Sequence, residues 1–325
     1  MTSTRMSSAI TLTLTFTFLT LSLAKKGKIA VYWGQEGGDS GSEDTLSSTC
    51  EFGNYDIVLV SFLDTFGCGR TPSLNLHTHC GIHTCTPCTT LHTQIQHCQK
   101  NGVKVFLALG GPRGSYSLCS TGDAKVVSNY LYGNFLSGES GPLGSVVLDG
   151  IHLHIENGGS YLHWEDLLHE LYKIKERGFT FYLSSAPLCF LPDRYLDRAI
   201  KTGYFDYIFI RFYNCPTCQY SSSSNASFLL DSWNAWSFYV SPNTSLLMGL
   251  PGAPDAALNG GYIPTQNFIN DVLPYIQQTP SYGGVALWDR SRDVQTRFSN
   301  LIKPLVLDST ETMWSVISNS SCICM

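Results

Sequence analysis

The sequence predicts an α/β chain closed as a (β/α)8 TIM barrel, and three observations carry that prediction. Eight short runs rich in β-branched and aromatic residues alternate with amphipathic stretches of helix length, the pattern of parallel βα units. No Pro/Gly/Ser linker or shift of composition divides them, so one closed barrel is more economical than two doubly wound halves. A chain of 325 residues with 43% hydrophobic content also has the length and the core for a barrel of about 250 residues plus insertions.

Taken in order, residues 1–24 have the parts of a secretory signal: Arg5, an apolar run over 10–23, and small residues Ser22 and Ala24 before Lys25. A membrane anchor is the weaker reading, because that run is about 14 residues and a spanning helix needs about 20. The barrel is expected over 25–307, with strands at 29–33, 57–63, 103–109, 147–156, 179–185, 207–213, 246–250 and 285–288. Residues 68–90 read as a long irregular segment with four cysteines. Its histidines His77, His79 and His83, with the nearby His92 and His97, read as surface residues on which nothing converges. The tail 308–325 has no strand or helix signal and is expected to be flexible.

Composition excludes some partners. Loss of Arg5 with the signal leaves 19 basic against 25 acidic residues, a net charge of −6, which argues against nucleic acid or an anionic membrane. Twelve cysteines behind a signal point to an oxidising compartment and several disulfides, which makes zinc sites at Cys85-Thr-Pro-Cys88 or Cys215-Pro-Thr-Cys218 the weaker reading. Sequons at Asn225, Asn243 and Asn319 agree with secretion.

In such a barrel the chemistry sits at the carboxyl ends of the strands. Here those ends read Tyr32-Trp33-Gly34-Gln35, Gly110-Gly111, Ile155-Glu156, Ala186-Pro187, Phe212-Tyr213-Asn214 and Leu287-Trp288. Aromatics around a carboxylate suit a sugar, whose faces stack on flat rings while its hydroxyls take hydrogen bonds. Any one of these rings alone is more simply a cap on the core.

Together, Ile29-Ala-Val-Tyr-Trp-Gly-Gln35, Ala108-Leu-Gly-Gly111, Leu148-Asp-Gly-Ile-His-Leu-His-Ile-Glu156, Pro192-Asp-Arg-Tyr195, Phe212-Tyr-Asn214 and Gly283-Gly-Val-Ala-Leu-Trp288 resemble the plant class III, hevamine-type chitinases of glycoside hydrolase family 18. The resemblance runs from about Lys28 to the eighth strand. The family's catalytic strand reads Asp-Gly-x-Asp-x-Asp-x-Glu; this one reads Asp149-Gly150-Ile151-His152-Leu153-His154-Ile155-Glu156. Alternation places His152, His154 and Glu156 on one face, lining the barrel, and Ile151, Leu153 and Ile155 on the other.

The resemblance implies that Glu156 is the general acid, with Tyr213 beside it, and that the substrate's acetamido oxygen attacks the anomeric carbon. The family's second inner aspartate holds that acetamido group and stabilises the cationic ring. His154 stands in its place, and an imidazole supplies no negative charge. On the sixth strand Arg211 stands where the family usually has glutamine. Directed inward, it is expected to pair with Glu156 and hold it as a carboxylate, as in the family's non-catalytic xylanase inhibitors. A metal on His152, His154 and Glu156 is the weaker reading, since the three span about 13 Å along one strand. The default is that the histidines fill the layer vacated by aspartates and bond to neighbouring strands.

Acid, phenol and sugar platform persist in Glu156, Tyr213, Asn214, Tyr32, Gln35 and Trp288, with Trp288 expected as the floor of the acetamido subsite. The leading expectation is a secreted chitin-oligosaccharide-binding protein with weak or lost hydrolysis, monomeric, apoplastic or vacuolar, and needing no cofactor or metal. The alternatives are an active acidic endochitinase and an inhibitor of another glycosidase. The resemblance also implies disulfides Cys50–Cys98, Cys80–Cys88 and Cys189–Cys218, leaving Cys68, Cys85, Cys119, Cys215, Cys322 and Cys324 outside the family pattern.

Overall fold

Eight parallel strands pair in chain order, and the last returns to the first: β1 (Lys28–Trp33), β2 (Ile57–Phe66), β3 (Lys104–Gly110), β4 (Gly150–His154), β5 (Tyr182–Ser185), β6 (Tyr207–Arg211), β7 (Ser245–Pro251) and β8 (Tyr282–Trp288). The β8–β1 pairing, Lys28 beside Gly284 through Val31 beside Leu287, closes the (β/α)8 barrel. This computed structural model describes residues 27–35, 43–81, 86–156, 160–223 and 226–307. The segments 1–24 and 308–325, with His83, Cys85, Asn225, Asn319, Cys322 and Cys324, lie outside the described residues.

Helices α1 (Leu46–Glu51), α2 (Leu91–Lys100), α3 (Thr121–Leu131), α4 (Trp164–Glu176), α5 (Asp197–Ile200) and α6 (Ser227–Tyr239) follow β1 to β6, and further helical turns follow β7 and β8. Period-two alternation divides the core into two layers. Ile151 and Leu153 of β4, with their counterparts on other strands, join the layer packed under the helices. Ala30, Tyr32, Leu59, Phe62, Phe106, Ala108, Phe209 and Leu247 fill the barrel interior.

The foot of the barrel is braced by a repeated device. Asp56, Asp149 and Asp206 each precede an even-numbered strand and accept the backbone N–H of the strand before it, from Ile29 at 2.8 Å, Val105 at 2.9 Å and Leu183 at 2.8 Å. Asp149 also takes Gln99 Nε2 at 2.9 Å and Lys104 Nζ at 3.1 Å. The first acid of the Asp149-Gly150 motif is therefore an anchor at the end opposite the mouth.

Strand ends differ from the sequence expectation for local reasons. β4 stops at His154, not Glu156, because Gly111 N–H takes the His154 carbonyl at 2.8 Å and the Glu156 N–H turns to the Tyr116 hydroxyl at 3.0 Å. It starts at Gly150 because Leu148 N–H donates to Phe135 O outside the sheet. β5 starts at Tyr182, three residues later than expected, and β8 starts three residues earlier. β2 continues to Phe66 because Thr65 and Phe66 pair with the short strand Ser115–Tyr116.

The irregular segment after β2 is tied by Cys80–Cys88 and by Cys68–Cys119, a pairing outside the family pattern. Cys50–Cys98 joins α1 to α2, and Cys189–Cys218 joins the loops after β5 and β6. Of the histidines read as surface residues on which nothing converges, His79 is the one the structure places otherwise, while His97 stays at the surface in an exposed ion pair. His79 packs on Trp33 with ring centroids 4.2 Å apart, and its Nε2 meets the buried Glu43 carboxylate at 3.0 Å. His97 lies 2.9 Å from Glu51.

Candidate functional site

The site is built on the inward face of β4. His152 and His154 are buried, and Glu156, two residues beyond the strand, has its side chain 27% exposed at the mouth. Gly110 makes room for this bend, since at its positive φ of 98° a Cβ would stand 2.5 Å from His154 O. Tyr116 holds the bend from the other side, accepting from Glu156 N–H while donating to Gly111 O at 2.8 Å.

The polar groups of this face form one chain with one direction. Glu156 Oε1 lies 2.6 Å from His154 Nε2, and a carboxylate only accepts, so the proton is on Nε2. His154 Nδ1 must then accept, and the Tyr32 hydroxyl donates to it at 3.0 Å. That hydroxyl has one proton, so the His152 Nε2 at 2.9 Å is the donor toward it. His152 Nδ1 in turn accepts from Ser184 Oγ at 2.9 Å, across the β4–β5 pairing. Every member is satisfied with both imidazoles neutral. Burial lowers the pKa of His152, with His154 and Arg211 adding to the effect; burial and then Arg211 do the same at His154, against the pull of Glu156.

Arg211, buried on β6, reaches over the end of β5 and forms an ion pair with the same Glu156 Oε1. Its Nε donates to Ala186 O at 3.0 Å, which fixes the guanidinium plane. Its Nη1 also passes 3.5 Å from His154 Nε2, but both atoms carry protons there, so the two donors converge on the carboxylate and do not bond each other. Burial alone would raise the Glu156 pKa. Arg211 and the His154 hydrogen bond outweigh it and bring the carboxyl down to about 2.

Trp288 ends β8 half-buried, its ring 5.1 Å from Tyr32 and 6.0 Å from both Phe62 and His154. Tyr213 is buried with its hydroxyl pKa raised, by burial first, while Arg211 opposes the rise. Three residues expected at the sugar have other engagements. The Tyr32 hydroxyl sits between the two histidines, Gln35 Nε2 donates to Ser61 O at 2.7 Å and Asn75 O at 3.0 Å, and Asn214 Oδ1 accepts from Asn259 N–H at 2.9 Å. The Pro192-Asp-Arg-Tyr195 motif is structural as well: Asp193 accepts the N–H groups of Leu188, Tyr195 and Leu196 and shapes the loop after β5.

Sequence reasoning missed Ser184, Phe62 and Tyr116. The alternation on β5 that points Ala186 inward would have found Ser184, and Phe62 sits where β2 enters the mouth. Tyr116 lies in a connection with no pattern of its own.

The Glycosyl hydrolases family 18 model matches residues 28–262. The chain belongs to family 18. It is 47% identical over 285 residues to an acidic endochitinase of Vitis vinifera, covering 86% of this chain and 92% of that protein. Concanavalin B of Canavalia ensiformis is 48% identical over 284 residues, 86% of each chain, and its solved structure superposes with a TM-score of 0.81. A xylanase and alpha-amylase inhibitor protein of Scadoxus multiflorus is 40% identical, with 88% of this chain and 100% of that one covered and a TM-score of 0.77. Within family 18, then, this barrel is similar to proteins named for hydrolysis and to one named for inhibition.

Proposed function

We propose that this protein binds oligosaccharides of N-acetylglucosamine, the chitin repeat, and has lost their hydrolysis. The observation that carries the loss is the double engagement of Glu156 Oε1 by His154 and Arg211. An acid whose pKa is held near 2 has no proton to donate to a glycosidic oxygen at neutral pH. The carboxylate that would face the cationic ring in the family is an imidazole here, and removing one such stabiliser costs on the order of 10²–10³ in rate. Sugar binding is supported by Trp288, a half-buried flat ring at the end of β8 whose centroid lies 6.0 Å from that of His154, the partner of Glu156, and by the endochitinase relative. We place the mature protein outside the cytosol, a reading supported by the signal-like segment 1–24 and the four disulfides among the described residues, and read it as a monomeric single domain.

Calorimetry with a chitin oligomer tests the binding, and a turnover assay on the same oligomer tests the loss. Binding is expected in the unmodified protein and abolished in Trp288→Ala, with no turnover in either. An absence of binding in the unmodified protein would sink this reading and favour inhibition of another glycosidase, as in the Scadoxus multiflorus relative. Turnover in the unmodified protein would restore the endochitinase reading.

A further inference from the structure

Among the described residues Cys215 is the cysteine outside a disulfide, and it faces one. Its Sγ lies 3.5 Å from Cys218 Sγ, and the sulfurs of Cys189, Cys215 and Cys218 all stand within 4.8 Å of one another. Cys215 is partly exposed, whereas Cys189 and Cys218 are buried. The turn Cys215-Pro-Thr-Cys218 is already closed: the N–H groups of Cys218 and Gln219 donate to Cys215 O at 3.1 Å, and Gln219 Oε1 accepts the Cys215 N–H at 2.8 Å. A two-residue turn of this kind can hold its own disulfide.

We propose that Cys215 is a resident exchange thiol that moves the Cys189–Cys218 disulfide to Cys215–Cys218. The Cys215 thiol loses its proton to solvent, and the thiolate attacks Cys218 Sγ. The Cys215–Cys218 bond forms as the Cys189–Cys218 bond breaks, and the electron pair leaves on Cys189 sulfur, which takes up a proton. The step is redox-neutral and needs no oxidant. Attack is in line, and the resting sulfurs are bent, so the Cys218 side chain must turn before transfer.

The two bonding patterns do different things to the site. Cys189–Cys218 spans 29 residues and ties the loop after β5 to the loop after β6. Cys215–Cys218 closes only its own turn. The first loop carries Ala186 O, which orients the Arg211 guanidinium, and Cys189 N–H, which donates to Arg211 O at 3.1 Å. After transfer that loop has no covalent link to the loop after β6 and is held by apolar packing and by hydrogen bonds, among them Ser232 Oγ and Trp236 Nε1 to Cys189 O at 2.6 and 2.9 Å. Exchange thus loosens the covalent hold on the segment that positions Arg211.

The test is thiol mapping of the full-length protein, incubated near pH 8 where thiolate forms, quenched in acid, unfolded, alkylated with iodoacetamide and digested without reduction. Label is expected on the Cys189 peptide as well as the Cys215 peptide, and Cys215→Ser should lose the Cys189 label entirely. Cys189→Ser, secreted from an oxidising compartment, should carry a Cys215–Cys218 bond. Label confined to Cys215 would overturn the proposal, as would a bond from Cys215 to Cys85, Cys322 or Cys324, or two free thiols in Cys189→Ser. Zinc held by the native protein, with thiols protected until a chelator is added, would overturn it in favour of a metal site.

Discussion

His154 Nε2 lies 2.6 Å from Glu156 Oε1, on the same oxygen that Arg211 engages. One donor comes from the strand that leads to the acid and the other from β6, two strands away, so two separate substitutions hold the carboxylate in its charged form. Replacing His154 by aspartate restores the missing negative charge but leaves Arg211 in place. His154→Asp alone should therefore recover little turnover of a chitin oligomer. His154→Asp with Arg211→Gln should exceed it by on the order of 10²-fold. Equal activity in the two variants would show that Arg211 is a bystander.

The two buried imidazoles predict a pH dependence with a definite sign. Their folded pKa values lie below the ordinary 6.5, so the unfolded chain takes up protons that the folded chain refuses. The stability they confer is complete above about 6.5 and is lost as pH falls below it, by up to about 1.4 kcal/mol per pH unit for each histidine. Asp289 acts with the opposite sign. Burial, and then Glu43, raise its pKa from 3.8 to about 6, so its contribution is full below 3.8 and is lost as pH rises through 6. The histidine effect is cleanest between about pH 7 and pH 6, where the melting temperature should fall. Nitrogen-15 spectra of labelled histidine should show His152 and His154 as neutral Nε2–H tautomers across that range. A doubly protonated ring at either position would break the directed chain.

Tyr32→Phe removes the link between the histidines. It leaves a buried donor at His152 Nε2 and a buried acceptor at His154 Nδ1, and should destabilise the fold by about 2 kcal/mol or more in denaturant titration. A loss within ~0.5 kcal/mol would mean that both imidazoles find other partners.

Asp149→Ala should separate stability from the site. It strips the acceptor from Val105 N–H, Gln99 and Lys104 at the foot, so a loss of about 1–3 kcal/mol is expected with binding of chitin oligomers unchanged. Weakened binding at full stability would contradict the division of the barrel into a bracing end and a ligand end.

The eight strands and the inward set of His152, His154, Glu156 and Arg211 were legible in the sequence because alternation with period two is a local property. What escaped depends on distant groups. The end of β4 is decided by the Tyr116 hydroxyl, 40 residues before the N–H it accepts. His79 finds Glu43 across 36 residues, and Cys68 finds Cys119 across 51, with no periodic signal to announce either contact. The hydrogen-bond partners of Tyr32, Gln35 and Asn214 were obscured for a related reason: residue type shows that a side chain can bond a hydroxylated ligand, not that a neighbouring carbonyl, imidazole or backbone N–H already bonds it.

The aspartates beneath β2, β4 and β6 work like the fixed end of a ruler. Each clamps its strand against the one before it, so a slip by a single residue would break the clamp and turn His152, His154 and Arg211 toward the helices. The positions facing the mouth are thus indexed from far away and owe little to one another for their placement. A barrel organised in this way can exchange acid for base, or catalyst for clasp, with its assembly instructions left untouched.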